Sequence, residues 1–190
     1  YNKAPFLKEC FESVFAQTFT DFEVIAVDDA STDGSLSVLR EMSDVRLRMI
    51  ELPANLGPAG AAQRGFDAAK GEYIVRMDAD DTMLPERIAR QIAFMDAHPE
   101  VGASGTSVQL LGRSDITRVM LTDDDDVRAS VLFRIPLLQP TSIYRRSVLL
   151  EHNIRMEDHW PRSGEDWLFQ LRLLKVTRFA STQRGMSSTS

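Results

Sequence analysis

Three apolar runs of strand length, Phe22 to Val27, Val45 to Leu52 and Glu72 to Met77, are each followed by a loop rich in Asp, Ser, Asn or Gly and then by a segment with helical spacing. Short strands interleaved with helices imply βαβ units and a largely parallel sheet, which makes this an α/β chain. Ahead of the first run, Leu7, Phe11, Val14, Phe15 and Thr18 fall at helical spacing. Asp28 to Ser35 supplies turn and N-cap residues before a helix over Leu36 to Met42. Asn55 to Gly60 opens a helix over Ala61 to Lys70 that Gly71 closes, and Pro85 suits the first position of a helix reaching about His98. Past residue 100 the spacing predicts one or two strands over Val101 to Leu111, a helix from Asp123 to about Phe133, a strand at Thr141 to Tyr144, and helices over Arg146 to His152 and Glu165 to Val176. No repeat or linker interrupts residues 1–180, which read as one domain, and the Ser- and Thr-rich residues 181–190 are expected to be a disordered tail.

Composition narrows the function classes. At 190 residues, 43% hydrophobic and 26% charged, the chain has the balance of a protein with one sizeable core. A net charge of −6 argues against a nucleic-acid partner, which calls for a basic face. Cys10 is the single cysteine, so no intrachain disulfide can form; a reducing, cytoplasmic setting is expected, with an inert thiol. No apolar stretch approaches a membrane span and no signal peptide is visible. The chain opens at Tyr1-Asn2-Lys3 with neither a methionine nor a first strand, so it reads as a piece of a longer protein, whose other parts are where membrane association would arise.

The chemistry concentrates in acidic residues at strand ends. Asp78-Ala79-Asp80-Asp81 stands directly behind Tyr73-Ile74-Val75-Arg76-Met77, and open α/β sheets bind ligands in the crevice outside the carboxyl ends of their strands. On an extended backbone the side chains of Asp78 and Asp80 leave on the same side, where they would share a magnesium-like cation carrying phosphate or divide a cation and a ribose between them. A second cluster, Asp28-Asp29, ends the first run about fifty residues earlier. Both clusters also fit a plainer role as turn or capping acids. The run Asp123 to Asp126 is read as a solvated helix N-cap.

Taken in order, Tyr1-Asn2, the block Phe22 to Ser35 with its D-D-x-S-x-D, Asn55-Leu56-Gly57, Ala69-Lys70-Gly71-Glu72-Tyr73-Ile74, the run Asp78 to Asp81 and Gly164-Glu165-Asp166-Trp167 resemble the inverting family 2 glycosyltransferases. The resemblance implies a GT-A fold, a Rossmann-like, mostly parallel sheet flanked by helices, with its first strand missing from this chain. It implies transfer of a sugar from a nucleotide-diphosphate donor, a UDP-sugar, to a hydroxyl of a saccharide or lipid-linked acceptor, with a divalent cation (Mn²⁺ or Mg²⁺) and inversion at the sugar carbon. The product would be a cell-surface polysaccharide or a lipid-linked saccharide. By the same resemblance Tyr1 stacks on the base and Asp29 accepts its imide N–H, Asp80 is the main metal ligand, Asp78 serves metal or ribose, and Asp81 supports either. Arg64 reaches phosphate, and Asp166 is the catalytic base, although Glu165-Asp166 at a helix start also suits simple capping.

Several positions depart from that pattern. Ala61-Ala62-Gln63-Arg64 places its arginine two positions later than the A-R-N-like stretch of the family, and Gln139-Pro140-Thr141 stands where many relatives show H-P. No Q-x-x-R-W stretch of processive synthases is visible. Trp160 and Trp167 are candidates for an apolar wall against a sugar ring, or for core. Two other functions fit parts of the sequence. Asp78-Ala79-Asp80-Asp81-Thr82 matches the D-x-D-x-T of dehalogenase-type phosphatases, with Asp78 as nucleophile, and the whole chain also fits a non-catalytic nucleotide-sugar or metal-binding domain.

Overall fold

The computed structural model describes residues 1–110, 113–118, 121, 123–131, 133–156 and 164–189, with 110, 113–118 and 182–189 as backbone only. Helix α1 (Ala4–Phe15) carries Pro5 in its first turn, where a missing N–H is tolerated, and buries Leu7, Cys10, Phe11 and Val14 on one face. Strands β1 (Val24–Asp28) and β2 (Leu47–Glu51), joined through α2 (Ser35–Glu41), pair in parallel from Val24↔Leu47 to Asp28↔Glu51. Leu7, Cys10 and Phe11 pack with Leu39 of α2 and with Val24, Ala26, Leu47 and Met49 beneath them, forming the core of the first half.

Helix α3 (Gly57–Ala68) starts four residues before the expected Ala61, because Pro58 fits its first turn and Gly57 takes a left-handed φ of 76° that leads the chain in. It ends at an extended Ala69, ahead of Gly71. After β3 (Tyr73–Val75) come β4 (Asp81–Met83), α4 (Arg87–Ala97), β5 (Val101–Leu110) and β6 (Arg113–Arg118). Then follow α5 (Asp124–Ser130), a 3₁₀ turn at Gln139–Thr141, β7 (Ile143–Arg145), α6 (Arg146–Glu151), α7 (Glu165–Leu174) and β8 (Arg178–Thr189).

The strands form a parallel β1–β2 pair and a six-stranded sheet of order β3-β7-β5-β8-β4 with β6 on β5. The α/β layering expected from the sequence is present, but the second sheet is mixed: β5–β8 is parallel while β3–β7, β5–β7, β5–β6 and β4–β8 are antiparallel. Periodicity identifies strands without their direction, so the return strands of the second half were not separable from crossover strands.

Residues 181–189 differ from the expected disordered tail. Their backbone continues β8, lying parallel to β5 and antiparallel to β4 from Asp81↔Thr189 to Met83↔Ser187. A Ser- and Thr-rich segment has the same backbone donors and acceptors as any other, and here two strand edges receive them. The start of β8 is anchored by Asp124, whose Oδ1 accepts the Phe179 N–H at 2.8 Å and whose Oδ2 accepts from Arg128 Nε at 2.7 Å. The second core is centred on three aromatic rings from three elements: Phe66 of α3, Tyr144 of β7 and Phe169 of α7, with centroids 5.3–5.9 Å apart. This cluster positions the first turn of α7 against α3 and the Gln139 turn.

Candidate functional site

The acidic run is a turn and not an extended segment, because the Asp81 N–H donates to the Asp78 carbonyl at 3.2 Å. The carboxylates therefore diverge. Asp78 points toward Arg76, which donates from Nη2 at 3.3 Å. Asp80 is paired with the ammonium of Lys3. Asp81 opens β4 on its inner side, only 6% exposed, where its charge acts on Arg87. Behind the turn, Cys10 sets its thiol 3.6 Å from the Asp78 carbonyl; burial, then the charges of Asp81, Asp80 and Asp78, push its pKa up to about 12 and keep it an inert thiol.

Arg87 is completely buried, which pulls its pKa down to about 10 against the opposing pull of Asp81 and Asp78, so it remains a cation at neutral pH. Its Nε donates to Gln91 Oε1 at 3.1 Å and its Nη2 to the Arg76 carbonyl at 2.9 Å. Gln91 in turn donates from Nε2 to the Thr141 carbonyl at 2.8 Å. A buried polar chain thus ties the backbone at Arg76, just ahead of the acidic turn, to the Gln139–Thr141 turn, its last link from Gln91 to Thr141 spanning fifty residues of sequence.

Between those two turns lies a cavity of about 180 Å³, lined by Pro58 and Ala59 of α3, Arg76 and Asp78, Gln139, Met156, and Glu165 and Asp166 of α7. Asp166 enters from the first turn of α7, where acids are favoured by the helix dipole. Its Oδ1 accepts the Trp167 N–H at 2.8 Å. The helix is led in by Gly164 at a left-handed φ of 96°, which a side chain would strain. Trp167 anchors the same turn by donating from Nε1 to the Val131 carbonyl at 2.9 Å, an attachment to α5. Trp160 lies outside the described residues.

The cavity brings Asp78 and Asp166 together, 88 residues apart in sequence. Asp80 sits two positions along the same turn as Asp78, facing Lys3. Four other candidate residues stand elsewhere. Arg64 is on the exposed face of α3 and does not line the cavity: Ala62 and Phe66 face the core, and two residues along a helix turn a side chain by about 200°. Asp81, read as a support for metal or ribose, is instead turned inward beside Arg87. Asp29 is 3% exposed and spends both oxygens on the loop before α3, accepting the Leu56 N–H at 2.6 Å and the Gly57 N–H at 3.0 Å. That is the capping arrangement the sequence kept as its alternative. Tyr1 is half-exposed beside the same region, its hydroxyl 3.5 Å from Thr32 Oγ1.

Sequence reasoning overlooked Arg76, Gln139 and Lys3 as site residues. Arg76 carried a signal, being the one charge inside an otherwise apolar strand segment. Gln139 was visible only as a departure from H-P, and Lys3 gave no signal.

The donor chemistry suits a hard divalent cation, since Asp78 and Asp80 are carboxylates on one solvent-accessible turn. The Lys3 ammonium against Asp80 shows that this position accepts positive charge. Among the described residues no three acidic, imidazole or thiol groups converge, and Asp78 and Asp80 diverge, so the turn would offer a cation chiefly the Asp80 carboxylate, leaving the other positions to water and phosphate, as Mg²⁺ accepts.

The fold and sequence have clear relatives. Over 182 residues the chain is 32% identical to the succinoglycan biosynthesis protein ExoO of Rhizobium meliloti, covering 88% of this chain and 51% of that protein. It is 28% identical over 184 residues to the poly(ribitol-phosphate) β-N-acetylglucosaminyltransferase TarS of Staphylococcus aureus, covering 90% of this chain and 30% of TarS. The chain spans about half the length of the first curated relatives it matches. Among solved structures, S. aureus TarS 1-349 superposes with a TM-score of 0.86 at 23% identity over 100% of this chain and 58% of that one. The mannosyltransferase PcManGT of Pyrobaculum calidifontis gives 0.75 at 21% identity, over 99% and 54%. Both likenesses place the fold in the GT-A class. No helix among the described residues is long and apolar enough to cross a membrane. A family model for glycosyl transferase family 2 matches residues 1–133, which leaves no place for the phosphatase alternative: the chain belongs to glycosyl transferase family 2.

Proposed function

We propose that this chain is the donor-binding and catalytic part of an inverting glycosyltransferase that moves a sugar from a nucleotide-diphosphate donor, a UDP-sugar, to a hydroxyl of a saccharide or lipid-linked acceptor in cell-surface polysaccharide synthesis. The observation that carries the reading is the shared cavity of Asp78 and Asp166, which is lined both by a residue of the acidic turn and by one from the start of α7. The relatives support the donor class: TarS has been solved with UDP and with UDP-GlcNAc, and PcManGT with GDP-Man and Mn²⁺. ExoO, a succinoglycan biosynthesis protein, and AmsE, an amylovoran biosynthesis glycosyltransferase, support the polysaccharide setting.

In this mechanism Asp166 takes the proton from the acceptor hydroxyl while that oxygen attacks the anomeric carbon. One C–O bond forms as the bond to the diphosphate breaks on the opposite face, its electron pair leaving with the phosphate oxygen. The Asp166 Oδ1 contact with the Trp167 N–H fixes the carboxyl rotamer and leaves Oδ2 for the proton. Asp80 would hold the divalent cation, with Asp78 turned to the cavity to meet metal or ribose, and the contribution of the cation when bound is Lewis-acid and electrostatic stabilisation of the leaving diphosphate. Arg87, beneath the turn, offsets the repulsion among its carboxylates. Tyr1 would stack on the base, and Asp29 would act by shaping the loop before α3.

The test is Asp166→Asn in the full-length protein. Sugar transfer should fall by about 10²- to 10⁴-fold, the usual contribution of a positioned base, while UDP binding by calorimetry is retained. Transfer near the wild-type rate would remove Asp166 from the chemistry. Loss of UDP binding as well would make the Glu165-Asp166 turn a capping element and favour a binding module.

A further inference from the structure

Two of the residues that line the cavity between Asp78 and Asp166 each carry a hydrogen-bond donor with no partner among the described residues. Arg76 Nε and Gln139 Nε2 are buried nitrogens with no hydrogen-bond partner among the described residues. Gln139 is 9% exposed, on the 3₁₀ turn whose position is held from behind by the Gln91 contact to the Thr141 carbonyl. An orphaned buried donor is costly, so two of them in residues that line one cavity are a feature that a ligand would satisfy. The orientation of the amide is set by Tyr144, whose hydroxyl donates to Gln139 Oε1 at 3.3 Å and turns Nε2 away. Burial pushes Tyr144 up to about 12, so it stays protonated and can only reinforce that direction at neutral pH.

The charge of the lining decides what kind of group the amide meets. Asp78, Glu165 and Asp166 contribute three carboxylates against the single guanidinium of Arg76, which is already partnered by Asp78. A carboxylate or phosphate placed there would face net negative charge in a partly desolvated space, whereas a hydroxyl oxygen would accept from Gln139 or Arg76 and donate to a carboxylate. The volume, about 180 Å³, is on the scale of one monosaccharide ring.

We propose that Gln139 is a specificity-determining residue whose Nε2–H, together with Arg76, donates to a hydroxyl of a neutral, non-acidic sugar unit seated between Asp78 and Asp166. This rests on the reading of the cavity as the sugar site of a nucleotide-sugar transferase. A site built to hydrogen-bond a hydroxyl discriminates strongly against ligands lacking it, because its own buried donors are then left unpaired. The preference for the sugar would thus reside in a turn at the position where many relatives carry H-P.

The experiment compares, by calorimetry with Mn²⁺ on the full-length protein, UDP and GDP with their neutral hexose and N-acetylhexosamine conjugates and with UDP-glucuronic acid. The variants are Gln139→Met, which keeps volume and removes the donor, and Gln139→Glu, which keeps an oxygen for Tyr144 and replaces the donor with an anion. In both, measured at a temperature where the variant is folded, the affinity of the best neutral conjugate relative to its own nucleotide should fall by about tenfold, with the nucleotide constant unchanged. A conjugate lacking the contacted hydroxyl should be indifferent to Gln139→Met, as a double-mutant cycle requires. An unchanged ratio, an equal loss for the bare nucleotide, or tighter binding of UDP-glucuronic acid than of every neutral conjugate would overturn the role of Gln139 while leaving the transferase reading standing. Failure of the wild-type protein to bind any nucleotide in the panel would remove the transferase reading, and this inference with it.

Discussion

At the scale of single residues, this site is made by side chains whose roles depend on which hydrogen bonds they have already made. Asp29 is the clearest case. Its two oxygens hold the Leu56 and Gly57 N–H groups, so it shapes the loop at the start of α3, from which Pro58 and Ala59 reach the cavity. Asp29→Ala would leave the Leu56 N–H without its acceptor, while the Gly57 N–H keeps Asn55 Oδ1 at 3.1 Å, and should lower the unfolding free energy by about 1 kcal/mol in urea, without any ligand. Unchanged stability would return Asp29 to the base pocket alone, and a larger loss of affinity for uridine than for guanosine nucleotides would show that it meets the base as well. The same logic separates Asp78, Asp80 and Asp81. They are neighbours in sequence, but one lines the cavity, one meets Lys3 and one is buried beside Arg87. The N–H of Asp81 folded back on the Asp78 carbonyl is what sends them apart.

At the scale of elements, the position of α7 is the decisive one, because it carries Asp166 and Glu165 to a cavity otherwise built from α3, the acidic turn and the Gln139 turn. Phe169 links these parts. Its ring lies 5.3 Å from Tyr144 and 5.9 Å from Phe66, and Gln170 beside it exchanges hydrogen bonds with the backbone of Leu137, at 2.7 Å as acceptor and 2.8 Å as donor. Phe169→Ala should cost about 3–5 kcal/mol by chemical denaturation, the usual loss for a buried aromatic ring and the cavity it leaves. Phe169→Leu should stay within about 1.5 kcal/mol and reduce transfer more than nucleotide binding, since it loosens α7 without touching the acidic turn. Equal effects on both would indicate that α7 also supports the donor. Helix boundaries were largely legible from the sequence: α2, α4, α6 and α7 begin within two residues of the expected starts, because their cap and periodic residues are local. The early start of α3 was missed although Pro58 in its first turn signals it, and the Asp29 contact to the Gly57 N–H, 28 residues away, is the part that no local pattern records.

At the scale of the whole molecule, one core lies under α1 and α2 and another around the Phe66, Tyr144 and Phe169 rings, the latter including Ala59 and Met156 of the cavity wall. A ligand in that cavity binds only the folded chain and should stabilise it as a unit. UDP with Mn²⁺ at a hundredfold excess over its dissociation constant should add about 2.7 kcal/mol to the unfolding free energy, read as a rise in melting temperature. Asp80→Asn should abolish the metal-dependent part of that rise. Without ligand it should change little, because the pair with Lys3 is partly exposed and such pairs are worth about 0–1 kcal/mol. A full metal-dependent shift in the variant would remove Asp80 as a ligand. The amino-acid sequence by itself determined the α/β alternation, the family, and the presence of acids at strand ends and at the start of α7, since apolar period, cap residues and motif order are properties of short segments. Only the tertiary structure decided the strand directions of the second sheet, the ordered course of β8, the divergence of the three aspartates, the capping role of Asp29 and the approach of Asp166 to Asp78. Each of these rests on groups separated by tens of residues, such as Gln91 and Thr141 at fifty, whose meeting is set by packing and by the demand that buried polar groups be paired, and no local pattern records it.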